Sequence, residues 1–200
     1  VNSVDDSKRI FEEQLQRLQT DYIDFYLLHA VNKEKWDAMK ELGVVEYCAK
    51  LKEEGKIRYY GFSFHDDYEV FDEILHYRDW DFCQIQYNYM DTQEQAGDKG
   101  YALAESLGVP LVIMEPIKGG SLANFSEDIN DRFHKMDPDR SVASYALRWV
   151  GSHPNVKVIL SGMSTMEQVE DNLKTFQDFS PLSEAEEKEI ESIVTELRSR

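Results

Sequence analysis

The sequence is poor in cysteine and has no long hydrophobic run. Its 200 residues include two cysteines, Cys48 and Cys83, with no Cys-x-x-Cys motif and no histidine at ligand spacing. Two isolated cysteines exclude a disulfide framework and give no sign of a metal site, so we expect buried or incidental thiols and no bound metal. No apolar run approaches the roughly 18 residues of a membrane span, so no membrane partner is expected.

Positive charge is scarce as well. Thirty-nine acidic against 22 basic residues give a formal charge of −17. This charge repels phosphate backbones and anionic membranes, and it excludes nucleic acid as the main partner. The sequence has no signal peptide, and we expect a cytoplasmic protein. With 42% hydrophobic residues the chain can bury one sizeable core, so one domain over residues 1–200, with a terminal helix at 183–200, is expected.

The chain does contain a repeated unit of helix, strand and polar strand end. In its first copy, a helical pattern over residues 4–20 precedes a strand over residues 23–28 that is apolar or aromatic apart from Asp24. This composition is typical of a strand covered on both faces. The strand ends on His29, and parallel α/β enzymes build their sites from polar side chains at the carboxyl ends of strands.

Four further strands are predicted, over residues 56–65, 81–89, 109–115 and 156–160, with helices between them. Alternating strands and helices predict the α/β class with a parallel sheet. No Gly-x-Gly-x-x-Gly turn follows a strand, which argues against a doubly wound dinucleotide-binding fold. Polar residues end all five strands: His29, Ser63, Asn88, Glu115 and Ser161. A site spread over successive strand ends predicts a (β/α)₈ TIM barrel, here incomplete with about five βα units.

Two stretches are predicted to be irregular. Residues 31–40 form a polar excursion that holds Trp36, and residues 121–140, the longest such stretch, are expected to be a functional loop. In the third strand Gln84, Gln86 and Asn88 alternate with apolar residues, which puts the three amides on one face. These amides either line a site or fill the interior by hydrogen-bonding to one another.

Four motifs, in this order and spacing, resemble the aldo-keto reductases. They are the strand ending in Leu-Leu-His29, Gly-Phe-Ser at Gly61–Ser63, Gln-Ile-Gln-Tyr-Asn at Gln84–Asn88, and Ser-Gly-Met-Ser at Ser161–Ser164 with Gln168 and Asn172. The resemblance covers nearly all of residues 3–176. It is closest to the bacterial branch whose members often carry a ferredoxin-like carboxyl-terminal extension. No cysteine follows Cys83, so such an extension is not expected here.

The resemblance implies an oxidoreductase that reduces small aldehydes or ketones with NADPH, with NADH as the alternative. It assigns catalysis to His29, which would orient and polarise the carbonyl. The family's Asp, Tyr and Lys partners would precede Val1. Without the resemblance, a histidine that ends a buried strand is more often a hydrogen-bonded core residue.

The resemblance also assigns cofactor-binding residues. Ser63 and Gln84 would hold the nicotinamide carboxamide, and Met114 would pack on the ring. The pyrophosphate would lie on Ile117, Lys118 and Gly119, and the adenosine phosphate on Gly162, Met163, Ser164, Gln168 and Asn172. Three positions depart from the family pattern: Phe64 replaces an asparagine of the amide clamp, and Gly162 and Gln168 replace a lysine and an arginine. A charge clamp on a 2′-phosphate is therefore missing.

Length suggests that the barrel is incomplete. A (β/α)₈ barrel typically takes about 250 residues, so we expect three strands to be missing at the amino end and the chain alone to be inactive. Unpaired edges on the first and last strands would invite self-association. Two alternatives remain open at this point. One is an NADPH-binding regulatory or redox-sensing subunit without significant turnover, and the other is a partial barrel that dimerises and binds nothing.

Overall fold

The computed structural model describes residues 2–200, which form nine α-helices around five strands. The strands are β1 Ile23–Val31, β2 Ile57–Phe64, β3 Phe82–Gln86, β4 Leu111–Met114 and β5 Val156–Ile159. The helices are α1 Val4–Leu18, α2 Lys33–Glu41, α3 Val44–Glu53, α4 Tyr68–Tyr77, α5 Gly97–Ser106, α6 Glu127–Met136, α7 Val142–Gly151, α8 Met166–Gln177 and α9 Glu184–Ser199. A single 3₁₀ turn, Lys118–Gly120, follows β4.

The strands form one parallel sheet in the order β1-β2-β3-β4-β5. Each strand pairs with the next strand along the chain, which is the order of a barrel wall and not of a doubly wound sheet. The prediction of an α/β fold with five parallel βα units is confirmed. Within the described residues β1 and β5 are the edge strands, so each has one side without a strand partner.

Two of the predicted irregular stretches are in fact helical, so those predictions were wrong. Residues 33–41 form α2, which buries Trp36. Asn32 caps this helix, because its side chain accepts a hydrogen bond from Lys35 N. Within residues 121–140 lies α6, which buries Ile129 and Phe133, one helical turn apart. Tertiary burial of these few apolar residues outweighs the polar composition of both helices.

The two faces of the sheet differ in how they are covered. Side chains that point outward, such as Leu28, Phe62 and Ile85, are at most 5% exposed and pack against the helices in the main core. On the opposite, inner face Phe25 is 64% exposed and Tyr59 is 47% exposed, and their rings stack 4.8 Å apart. The inner face therefore presents apolar and polar side chains that no helix of the described chain covers.

The terminal helix α9 is held on the domain by a buried ion pair. Arg148 of α7 is 3% exposed, pairs with Glu186 at 2.6 Å, and donates to the carbonyls of Ser180 and Pro181. The side chains of α9 that face the domain complete a second apolar cluster with α6 and α7. Between residues 2 and 200, no helix combines the length and the apolar composition needed to cross a membrane.

Candidate active site

Strand register brings three of the predicted cofactor residues onto the inner face. Ser63 of β2 pairs with Gln84 of β3, and Gln86 of β3 pairs with Met114 of β4. Paired residues in neighbouring strands project to the same face of a sheet. The Gln84 amide nitrogen lies 3.5 Å from Met114 Sδ, so the two side chains are in contact.

His29 joins this group through an irregularity in β1. The register between β1 and β2 shifts between Leu28 and Val31, and Ala30 within the shift has a φ of 51°. A positive φ is uncommon outside glycine and persists where the surroundings hold it. Here Ala30 N donates to Ser63 Oγ at 2.8 Å, and Ala30 O accepts from Lys35 Nζ at 3.0 Å.

This bulge leaves His29 exposed beside Ser63, near the carboxyl end of β1. His29, Ser63, Gln84 and Met114 therefore lie along adjacent strand ends, and we call them the strand-end row. Ser63 is 1% exposed and its oxygen accepts from Ala30 N, an arrangement that leaves the hydroxyl proton free to donate.

Seven more of the predicted residues share a single cavity of about 630 Å³. It lies between the segment after β4 and the segment after β5, and we call it the loop cavity. The predicted residues in its lining are Ile117, Gly119, Gly162, Met163, Ser164, Gln168 and Asn172. Glu115, the residue that follows Met114 in the chain, is among the lining residues, so the cavity adjoins the end of β4. Its volume is typical of pockets that hold small molecules, about 300–1,000 Å³.

The loop cavity has an acidic lining. Glu115 and Asp171 contribute carboxylates, whereas no lysine or arginine is among the lining residues. The two amides that precede α8 are already satisfied, because Gln168 Oε1 accepts from Ser164 N at 2.6 Å and from Thr165 N at 3.2 Å. A phosphate that bound the Ser164 or Thr165 amide would have to displace the Gln168 side chain from the capping box.

The ammonium group of Lys118 does not enter the loop cavity. It forms an ion pair with Asp91, in the segment after β3. Lys118 thus lies on the predicted loop, but its charge is directed to a carboxylate of the protein. Its backbone has a φ of 47° and is followed by Gly119 and Gly120, which also have positive φ.

The amides of Gln86, at the end of β3, and of Asn88, just after it, serve the structure. Gln86 and Asn88 donate to Asp91 Oδ2 at 3.2 and 3.1 Å, so these two amides hydrogen-bond within the protein, and their shared partner is a carboxylate. Phe64 is fully buried on the outer face, where its ring lies 5.0 Å from that of Phe71. The residue at position 64 therefore belongs to the core, and it offers no second amide for the nicotinamide.

Sequence reasoning missed Ala30 and Asp91. Nothing in the local sequence marks the bulge at Ala30, because its acceptor, Ser63, lies on another strand. A signal for Asp91 was present: the Asn88 side chain accepts from Met90 N and Asp91 N, both at 3.0 Å, which is the hydrogen bonding of an Asx turn. Such a turn fixes the backbone position of Asp91 relative to Asn88.

Tyr26 and Lys35 also border the cavity on which His29 lies, at the free edge of β1. Tyr26, however, packs on the outer core, with its ring 5.4 Å from that of Phe11, whereas His29 is exposed. Burial, followed by the charges of Cys48 and Tyr47, raises the pKa of Tyr26 to about 12. Tyr26 is therefore a poor proton donor for a ligand beside His29. Among the described residues, no group of three or more His, Cys, Asp or Glu side chains could hold a metal ion.

Parallel βα units in barrel order, with polar strand ends and an adjoining loop cavity, define the class of (β/α)₈-barrel proteins. The model of the aldo/keto reductase family matches residues 3–195. The chain belongs to the aldo/keto reductase family.

Solved structures and curated proteins agree with this family. The holo form of the aldo-keto reductase AKR11C1 from Bacillus halodurans has a TM-score of 0.77 and 28% identity, over 96% of this chain and 68% of that one. An aldo-keto reductase from Klebsiella pneumoniae in complex with NADPH has a TM-score of 0.69 and 25% identity, over 94% of this chain and 64% of that one.

Among curated proteins, the NADH-specific methylglyoxal reductase of Escherichia coli (strain K12) is 27% identical over 188 residues. That alignment covers 80% of this chain and 56% of the relative. The chain spans between 49% and 64% of the length of the five curated relatives it matches. Family and fold class are therefore established, whereas activity and substrate are matters for a proposal.

Proposed function

We propose that this chain carries the cofactor site and one catalytic residue of a reductase that transfers hydride from NAD(P)H to a small aldehyde or ketone. The observation that carries the proposal is that the loop cavity is lined by Glu115, the residue that follows Met114 of the strand-end row. A dinucleotide is an elongated ligand with a polar ring at one end and phosphates and adenine at the other. The row offers hydrogen-bonding groups for the ring, and the cavity offers space for the rest.

Each residue of the strand-end row has a role in this proposal. The Ser63 hydroxyl would donate to the nicotinamide carboxamide, and the Gln84 amide would hold it from the next strand. Met114 would pack its thioether on the ring face. A reduced nicotinamide bound there supplies hydride. An imidazole N–H of His29 would donate to the carbonyl oxygen of the substrate, which orients and polarises that carbonyl.

The proton donor of this reaction would come from outside the described residues. Among the strand tyrosines, Tyr59 lies on the inner face, but at about 3.3 Å per residue it is about 13 Å before Ser63 along β2. Tyr26 lies on the outer face. We therefore propose that the family's Tyr, Lys and Asp partners are supplied by other barrel strands, and that the chain alone turns over slowly.

For the cofactor we propose NADPH, with NADH accepted as well. Support for NADPH comes from the complex of the Klebsiella pneumoniae structure, and support for NADH from the specificity stated for the Escherichia coli relative. The acidic loop cavity contains no cation to pair with a 2′-phosphate. We therefore expect the two affinities to differ by less than about tenfold, because one charge-assisted contact is worth about that much.

Two assays test the proposed function. Titration of the chain with NADPH, followed by its tryptophan fluorescence, should show saturable binding that His29→Asn leaves unchanged.

Oxidation of NADPH in the presence of methylglyoxal and other small aldehydes and ketones should then be compared between the chain and the whole product of its gene. Turnover by the chain at the rate of the whole product would contradict the role given to the missing proton donor. Absence of any dinucleotide binding would contradict the proposal as a whole.

A second candidate is an NADPH-binding regulatory or redox-sensing subunit. It is favoured by one observation: Gly162 and Gln168, which line the loop cavity, bring no positive charge to it, which fits a site adapted to binding without turnover. The comparison that separates the two candidates is turnover by the whole gene product. Tight NADPH binding with no carbonyl reduction by that product would favour the regulatory subunit.

We also propose that the inner face and the two sheet edges are covered in the working protein. Phe25, Tyr59, Val158 and Leu160 are between 42% and 64% exposed on or beside this face. Further strands between β5 and β1 would close the barrel and cover them, and where such strands are absent the free edges favour self-association. Sedimentation of the chain over a range of concentrations tests this: a monomer at all concentrations would contradict self-association.

A further inference from the structure

Asp91 is a buried carboxylate to which the proposed reaction gives no role. It is 5% exposed and lies in the segment after β3. In a chain with a net charge of −17, one more carboxylate removed from water is unfavourable unless it is paired and hydrogen-bonded.

Asp91 has a complete set of partners. One oxygen forms an ion pair with Lys118, and the other accepts from Gln86 Nε2 at 3.2 Å and from Asn88 Nδ2 at 3.1 Å. Burial disfavours the charged carboxylate, but the hydrogen bonds from Lys118, Asn88 and Gln86 outweigh it and lower the pKa of Asp91. The group is therefore a fixed negative charge that holds the ammonium of Lys118.

This network fastens the segment after β4 at two points. Asp91 holds Lys118, and Asn88 Nδ2 also donates to Glu115 O at 3.2 Å. Lys118 N donates to Glu115 O at 3.0 Å, which closes a tight turn between the same two points. Both points have strained backbones, because Glu115 has a φ of 54° and Lys118 a φ of 47°.

The segment fastened in this way is a wall of the loop cavity. Glu115, Pro116, Ile117, Gly119 and Gly120 line the cavity, whereas Lys118 does not, since its side chain is directed to Asp91. The Asp91–Lys118 pair thus supports this segment without lining the cavity itself. Loss of the pair would free a segment whose backbone conformation is unfavourable on its own.

We propose that Asp91 is a positioning residue for dinucleotide binding, and that its ion pair with Lys118 sets the shape of the cavity wall over residues 115–120. The inference rests on the proposed function for the identity of the ligand. It does not require Asp91 or the ammonium of Lys118 to touch that ligand. A competing role for Lys118 is direct pairing with a phosphate, in which case Asp91 would compete with the ligand for the same ammonium.

Dinucleotide affinity separates the two roles. The dissociation constant for NADPH is measured for the wild-type chain, Asp91→Asn, Lys118→Met and the double variant. If the pair shapes the wall, each single variant raises the constant by about tenfold, and the double variant raises it no further. If Lys118 binds a phosphate directly, Lys118→Met weakens binding while Asp91→Asn strengthens it, and that result overturns the proposal.

A matched control comes from the opposite end of β3. Asp81 pairs with Lys52 and accepts from Tyr60 N at 2.8 Å, so it is another paired carboxylate, far from the loop cavity in the order of the strand. Asp81→Asn should lower thermal stability and leave the NADPH dissociation constant unchanged. Lys118 is 43% exposed, so Lys118→Met should fold even if Asp91→Asn does not.

A second readout is independent of the ligand. Ile117 O accepts from Gly120 N at 2.9 Å and from Leu122 N at 3.2 Å, and these amides report on the wall. Hydrogen exchange over residues 117–123 should be faster in Asp91→Asn and Lys118→Met than in Asp81→Asn. Unchanged exchange and affinity in both variants would overturn the positioning role. Faster exchange in a chain that binds no NADPH would uphold the wall contact and reject only the proposed function.

Discussion

The two ends of the candidate dinucleotide site are built differently. The strand-end row is fixed by pairing between β1, β2, β3 and β4, and Ser63 within it is almost fully buried. The loop cavity is formed by segments that follow β4 and β5, and several of its residues, including Gly162, Met163 and Gln168, are exposed. One end is held by the core of the protein, and the other end by hydrogen bonds within and between loops.

We therefore expect the strand-end row to be rigid and the loop cavity to be adaptable. A side chain carried by a paired strand cannot move without disturbing the sheet, so substitutions there should change folding stability. A side chain on an exposed loop has room around it, so substitutions there should change ligand preference and leave stability nearly constant.

The strongest test compares a glycine of β2, two residues before Ser63, with a glycine that lines the loop cavity. A Cβ atom at Gly61 would lie 2.5 Å from the Phe82 carbonyl oxygen, whereas a Cβ atom at Gly162 would meet nothing within 4 Å. We expect Gly61→Val to lower the free energy of unfolding by about 3 kcal/mol because the paired strand cannot give way. Gly162→Ala should change it by less than about 0.5 kcal/mol. Urea denaturation measures both values. Similar values would contradict the claim that the strands tolerate substitution less well than the loops.

The next test compares two serines. Ser63→Ala removes the acceptor for Ala30 N at a residue with positive φ, so we expect a loss of about 2 kcal/mol in the free energy of unfolding. Ser164→Ala is the control, because Ser164 is exposed and contributes its backbone amide, not its hydroxyl, to the bond with Gln168. It should stay within about 0.5 kcal/mol of the wild type. A loss for Ser63→Ala no larger than for the control would show that Ser63 does not hold the bulge.

A third test adds the charge that the loop cavity lacks. Gly162→Lys should strengthen NADPH binding by about tenfold, since a new ammonium would pair with the 2′-phosphate, and it should leave NADH binding nearly unchanged. Gly162→Gln serves as the control for side-chain size without charge. Calorimetric titration of the wild type and the two variants with each dinucleotide measures the dissociation constants. Equal gains for NADPH and NADH would mean that the adenosine phosphate does not lie near residue 162.

The smallest expected effect concerns the cap of α8. The Thr165 hydroxyl accepts from Gln168 N, and Thr165→Ala should lower the free energy of unfolding by about 1 kcal/mol. Thr195→Ala in α9 is a suitable control, because Thr195 is exposed and bonds within its own helix. A cap effect above that of Ser63→Ala would contradict the view that the loop end contributes less to stability.

Much of the strand-end row could be predicted from the sequence, because it depends on local patterns. Alternation in the third strand put Gln84 on one face, and polar residues at strand ends indicated His29 and Ser63. The pairing of Lys118 with Asp91 could not be predicted, since it joins loops that are distant in the sequence. The helices α2 and α6 were missed because one or two buried side chains stabilise helices of polar composition.

A crystal structure of the chain with bound NADP⁺ tests the central claim most directly. The account predicts electron density for the carboxamide within hydrogen-bond distance of Ser63 and Gln84, with the nicotinamide ring on Met114 and the adenosine phosphate in the loop cavity. Density for the dinucleotide at any other place on the chain, or with its nicotinamide end away from His29, would contradict it.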